Sequence, residues 1–204
     1  FTSFKDDAHG GDTNEDGGAT TPARNDWMHV DTNGHHGSTF DWCEFYYGGD
    51  GTYDSTLMVS SGSDNVTVTH CTFAHNDGGD FSGWESALDA HGGGAGVVIE
   101  NNVFYDNVRP LSVNCLFDLD DSNVFHNPDN VAQKNTYNGI IVYYDHVESA
   151  LSWGETEVAF VIDDNDWWIN FGASLTLANN VVLKFTTGSI LNLEDSGSLI
   201  NYNG

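Results

Sequence analysis

The segment Asp12-Thr13-Asn14-Glu15-Asp16-Gly17 sets oxygen-bearing side chains at alternate positions ahead of a glycine. This is the spacing of the first half of a calcium loop. Alternate carboxylates and an amide bring three hard oxygen donors to one point, and the glycine permits the sharp turn that follows. The twelfth position, where a bidentate glutamate completes such a loop, holds Ala23. The remaining ligands must come from neighbours, and Asp6, Asp7 and Asp26 are within reach along the chain. The expected metal set is Asp7, Asp12, Asn14, Asp16 and Asp26, and the expected cofactor is Ca2+. The competing reading is a solvated acidic turn.

Other chemistries find less support. Lys5, Arg24, Arg109, Lys134 and Lys184 are the whole basic complement, and none stands in a recognisable catalytic string. Glycoside hydrolysis needs two carboxylates about 5–9.5 Å apart. The runs Asp118–Asp121 and Asp163–Asp164 offer such pairs, but 31 acidic residues make chance pairs certain, so no catalytic residue is assigned and the chain reads as a non-enzyme. His35, His36, His70 and His75 lack zinc-type ligand spacing and read as surface decoration. Trp27, Trp42, Trp84, Trp153, Trp167 and Trp168 could stack on sugars, although core or corner packing is the default.

What must position these groups is a folded chain of unusual charge. Five basic residues against 31 acidic ones leave a formal net charge of −26. Such a polyanion repels nucleic-acid phosphates and anionic membranes. Its fitting partners are divalent metals, small cations or a basic partner. Aromatic content of 13% exceeds what a disordered acidic tail carries, so the chain should fold. No apolar run spans a bilayer, no secretory leader is visible, and the chain begins at Phe1, as a processed or excised segment would. Three cysteines form no disulfide framework.

An internal repeat supplies the architecture. STFDWCEF at 38–45, VTVTHCTF at 66–73, VVIENNVF at 97–104 and a looser DLDDSNVF at 118–125 share a pattern. Alternating apolar residues are followed, three residues on, by Cys or Asn, and two further by Phe. Alternation puts one set of side chains on one face of a strand, and the three-residue step breaks that phase, which requires a corner. Strand, corner and strand make part of one coil. Phe45, Phe73, Phe104 and Phe125 should stack at ~4.8 Å between coils, with Asn102 and Asn123 as an amide ladder at the bend. Cys43 and Cys71 should be thiols in the same ladder rather than a disulfide, since parallel side-chain vectors suit the bond poorly; Cys115 lies outside the register. GASLTL at 172–177, GSILNL at 188–193 and GSLINY at 197–202 read as a second, tighter pattern. One domain covers 1–204, with long-looped coils over 1–150 and compact coils over 151–204. The fold class is all-β: a single-stranded parallel β-helix, or β-solenoid, with long outward loops.

The pattern in VVIENNVF resembles the right-handed parallel β-helix repeat of pectate-lyase-like proteins. The strings FTSFKDDAHGGDTNEDGGATTPARNDW and WWINFGASLTLANNVVLKFTTGSILNLEDSGSLI resemble parts of bacterial secreted or surface β-helix repeat proteins. There the second string precedes the first; here the order is reversed, as in a permuted subunit or one unit of a tandem array. Neither end reads as a cap. The expected function is therefore an extracellular or cell-surface structural protein that stacks on itself axially into a calcium-stabilised filament or array. The rival is a carbohydrate-active or carbohydrate-binding β-helix with a polysaccharide partner. Nucleic acid and membrane insertion are not expected.

Overall fold

A computed structural model describes residues 1–50, 55–79, 83, 85–143, 146–163 and 166–201. Its strands stack in parallel, apart from one antiparallel hairpin of His126–Asn127 and Asn130–Lys134, into a β-solenoid of about seven turns, with no helix among the described residues and hence none long and apolar enough to cross a membrane. One sheet runs the length of the molecule. Its strands are Val30–Asp31, Leu57–Met58, Leu88–Asp89, Leu111–Val113, Gly139–Val142, Ala159–Ile162 and Leu183–Phe185, one per coil. The register aligns Val30, Leu57, Leu88, Leu111, Ile140, Phe160 and Leu183 in one inward column. The five inner members are buried, and the two end members are half-buried.

Two short sheets complete the first coils. One holds Thr39–Asp41, Thr67–Thr69 and Val98–Glu100; the other holds Glu44–Tyr46, Thr72–Ala74 and Val103–Tyr105. Between them the chain bends at Trp42, His70 and Asn101, whose φ values are 55°, 52° and 57°. The corner inferred from the three-residue step is thus a column of left-handed residues, a conformation that costs an ordinary L-residue roughly 1–2 kcal/mol. Hydrogen bonds at the corner offset that cost. Asn102 Oδ1 accepts from Cys71 N at 2.9 Å, Asn123 Oδ1 accepts from Asn102 N at 3.1 Å, and the two amide groups donate to Val68 O and Ile99 O.

A second ladder stands at the next corner, where Tyr47, His75 and Asp106 also have positive φ. Asn76, Asn107 and Asn135 are linked there, each carboxamide oxygen accepting from the coil before it. The sequence carries a signal for it, because Asn76 and Asn107 both stand three residues after the repeat phenylalanine.

The aromatic column is continuous. Phe45 and Phe73 stack at 4.8 Å, Phe73 and Phe104 at 5.0 Å, and Phe104 and Phe125 at 5.3 Å. Phe1 extends it, stacking on Phe45 at 4.7 Å while its carbonyl accepts from Tyr46 N. Cys43, Cys71 and Cys115 are free thiols. Burial pushes the Cys71 thiol up to about 11, so it stays protonated and unreactive at neutral pH.

The later coils use a different pair of sheets: His146–Val147, Asp166–Ile169 and Ile190–Leu193, then Ala150–Trp153, Ser174–Leu177 and Ser198–Asn201. The three similar C-terminal segments are therefore not all equivalent. Ser174–Leu177 stacks on Ser198–Asn201, but Ile190–Leu193 stacks on Asp166–Ile169, in the neighbouring sheet. Trp153 fills this half, stacked on Phe160 at 4.4 Å and Trp167 at 5.8 Å. Trp153 and Trp167 are wholly buried, Trp27 packs on the core, and Trp42 is 76% exposed. Trp84 and Asp164 lie outside the described residues.

Candidate metal centre

The acidic loop follows directly from the Phe1 segment, and two of its carboxylates anchor it to the first coil. Asp26 accepts from Ser3 Oγ and Lys5 Nζ, both at 2.6 Å, and from Ala23 N at 2.9 Å. Burial pushes its carboxyl up, but the bonds from Lys5, Ser3 and Ala23 outweigh this and hold it below the usual range. Asp6 is held low in the same way, burial being outweighed by Thr2, His9 and the Ala8 amide. Asp26 is therefore neutralised by a lysine and serves as an anchor, apart from the carboxylates described next.

Asp7, Asp12 and Asp16 each place a carboxylate oxygen within 4.8 Å of the other two. Local backbone geometry fixes two of them. Asp12 accepts from Asp16 N at 3.0 Å and Gly17 N at 2.9 Å, and Asp16 accepts from Gly18 N, Ala19 N and Thr20 N. Gly17, at φ 65°, makes the turn that aims these amides inward. The Thr20 hydroxyl and those amides keep the Asp16 carboxyl below its ordinary range. Asp7 is pushed the other way, by desolvation first and then by the charges of Asp12, Asp16 and Asp6.

Two oxygens have no donor. Asp7 Oδ1 and Asn14 Oδ1 are shielded from solvent and accept no hydrogen bond. Asn14 is oriented by its own amide, which donates to Asp16 at 2.9 Å and Thr20 Oγ1 at 3.0 Å, so that its carbonyl oxygen is the group left over. A shielded acceptor without a donor is costly, and a cation or a water molecule among these oxygens would satisfy it. The donor set is oxygen only, which favours a hard cation over a soft one. Asp7, Asp12, Asn14 and Asp16 are the residues that could hold it.

Six of the nine histidines stand beside an acid, namely His9, His36, His70, His75, His91 and His126. His70 pairs with Asp41 at 2.8 Å and His75 with Asp106 at 2.6 Å, while His36 lies 3.3 Å from Asp64. Three of the five basic residues are also committed: Lys5 to Asp26, Arg24 to Asp106, and Arg109, 1% exposed, to the carbonyls of Gly83 and Glu85. Comparison with protein-family models, with curated proteins and with solved structures finds no match for this chain.

Proposed function

We propose that this chain is a structural β-solenoid of an extracellular assembly, adding axially to further copies of itself, with Ca2+ held by Asp7, Asp12, Asn14 and Asp16. The observation that carries the reading is the last coil. Leu193 and Leu199 continue the columns of Ile169 and Leu175, which are 0% exposed, yet they are themselves 54% and 39% exposed. Such a face favours one more coil with apolar columns and a strand to pair, whether of the same chain or of another copy. The opposite end offers Phe1, 57% exposed on top of the aromatic stack. Unpaired strand edges template further pairing, and joining two unlike faces makes an open fibre.

A net charge of −26 per copy opposes this contact. Exposed charges are screened only beyond ~8 Å at physiological salt, so divalent cations should decide whether copies associate. Extracellular fluid supplies Ca2+ at the level where modules of modest affinity, Kd ~10⁻⁴–10⁻³ M, are filled. Sedimentation velocity and electron microscopy of the purified chain should show axial assemblies with Ca2+ that disperse on chelation. Leu193→Asp with Leu199→Asp should give a folded monomer. A chain that stays monomeric at high concentration with Ca2+ refutes the proposal.

Calcium binding has its own test. A ligand at a hundred times its Kd stabilises by about 2.7 kcal/mol, roughly 5–10 °C in Tm for a chain of this size. Asp12→Ala with Asp16→Ala should abolish that Ca2+-dependent rise, and weaken assembly, while leaving the far-ultraviolet circular dichroism unchanged. An equal rise in the variant would make the loop a solvated turn.

A further inference from the structure

We infer that the hairpin of His126–Asn127 and Asn130–Lys134 is a docking edge for a second copy of this chain, the two Asn130–Lys134 strands pairing antiparallel about a two-fold axis at Ala132. The contact lies on the side of the solenoid, so it is independent of the axial contact at the ends.

The hairpin stands apart from the fold that carries it. Every other sheet among the described residues is parallel and joins strands of successive coils, whereas these two strands pair only with each other. Asn130–Lys134 has five residues and is the longest described strand, yet its partner has two. The register jumps from Asn127 opposite Asn130 to His126 opposite Lys134. Val131, Ala132 and Gln133 are thus held extended with no residue paired to them across the hairpin. Among the described residues no backbone bond joins this strand to any other element. The Ala132 amide is met at 3.3 Å by the side-chain oxygen of Asn130, two residues back in its own strand. Such an edge presents pairing groups to another strand.

The charge pattern names the partner. From Ser122 to Tyr144 the sequence holds one acidic residue, Asp129, and one basic residue, Lys134. This stretch adds nothing to the net charge of −26, so two copies can meet here with little repulsion from the residues in contact. At its root, Glu157 is engaged by Phe125 N at 3.0 Å and His126 Nδ1 at 2.7 Å. Pairing about Ala132 sets Lys134 opposite Asn130 of the second copy, next to its Asp129. The one base of each hairpin then meets the one acid of the other. A contact between identical patches closes as a dimer.

Val131 supplies the apolar surface. At 64% exposed it is the most exposed large apolar residue between Trp42 and Phe171 among the described residues. In the pair it faces Gln133 of the second copy, and the two-fold repeats that pair on the other side of Ala132. Cross-strand pairs contribute roughly 0.2–1 kcal/mol each.

A contact this small belongs to the weak class. A chain carrying Leu193→Asp and Leu199→Asp, which removes the axial contact, should therefore be a monomer when dilute and pair side by side at ~1 mM. Sedimentation equilibrium reads this in ~1 M salt, where the Debye length is ~3 Å and distant charges are screened. Adding Val131→Glu and Gln133→Glu, both outside the solenoid core, should weaken pairing by at least about tenfold, with the far-ultraviolet circular dichroism unchanged. Ala132→Cys, treated with oxidised glutathione, should link copy to copy at least about tenfold faster than Ala150→Cys, because pairing holds the two thiols together. Ala150 is an exposed alanine on the strand Ala150–Trp153, away from the hairpin. A chain that stays monomeric at ~1 mM, equal pairing after Val131→Glu and Gln133→Glu, or equal linking rates at 132 and 150 overturns the inference.

Discussion

Replacing Asn107 with alanine is expected to lower stability by about 4 kcal/mol, among the largest losses any single polar residue here can give. Its carboxamide oxygen accepts from Asn76 N and Asn76 Nδ2, both at 3.0 Å, and its amide donates to Phe73 O at 2.8 Å and Asn135 Oδ1 at 2.9 Å. Asn107 is 0% exposed, so water cannot replace the lost partners. Each orphaned buried group costs about 1–3 kcal/mol, and at least two are orphaned. Urea denaturation should show the midpoint falling with the slope m unchanged. Asn107→Asp keeps the acceptor but turns the donor into a second acceptor facing Phe73 O, so it should cost at least as much at neutral pH. A loss below about 1 kcal/mol for both would mean that the coils hold register without the ladder.

Glu155→Gln is expected to stabilise the protein by about 3 kcal/mol at pH 8 and to leave it nearly unchanged at pH 4.5. Glu155 is 1% exposed; its Oε1 accepts from Glu157 N at 2.7 Å, but its Oε2 has no partner. The groups around it are acidic. Asp118 holds Ser152 N, Asp121 holds Thr156, and Glu157 holds Phe125 N and His126. Desolvation first, then the charges of Asp121 and Glu157, push the Glu155 carboxyl from 4.5 to about 7. The folded chain therefore keeps a proton that the unfolded chain releases. The resulting stability is complete below pH ~4.5 and is lost as pH rises through about 7, a difference of about 3 kcal/mol. Glutamine cannot ionise, so the variant lacks this decline. Denaturation at pH 4.5, 6 and 8 tests it, and parallel profiles for the two proteins would refute it.

Much of the architecture is legible in residue spacing. Phe45, Phe73, Phe104 and Phe125 recur at intervals of 28, 31 and 21 residues, yet each stacks within 5.3 Å of the next, because variable loops leave the strand register untouched. Asn102 and Asn123 are legible for the same reason. Phe1 carries no such pattern upstream of it, and only its pairing with Tyr46 places it in the column. Ile190–Leu193 is legible as a strand but not as to its sheet, because glycine followed by alternating apolar residues describes a strand in either of two adjoining sheets; only pairing chooses between them. The acidic loop is half legible. Alternation picks out Asp12, Asn14 and Asp16, but nothing local separates Asp7, which joins them, from Asp26, which Lys5 claims. The setting of Glu155 is invisible in sequence, since it is made by coils that lie far apart along the chain.

The two asparagine ladders and the backbone bonds between coils lie along the solenoid axis, and this gives the molecule a directional response to force. Tension applied along the axis loads those bonds coil by coil, so the chain should peel from an end in steps of one coil rather than rupture at once. The aromatic column and the paired ladders cover the coils from Phe1 to Asn135, whereas the coil of Ile190–Leu193 and Ser198–Asn201 has half-exposed columns and no asparagine rung among the described residues. Peeling should therefore begin at the Ser198–Asn201 strand and meet its greatest resistance at the coils joined through Asn76 and Asn107. A copy docked on that last coil would act as a clamp, so an assembled fibre would be mechanically stiffer than its separated units.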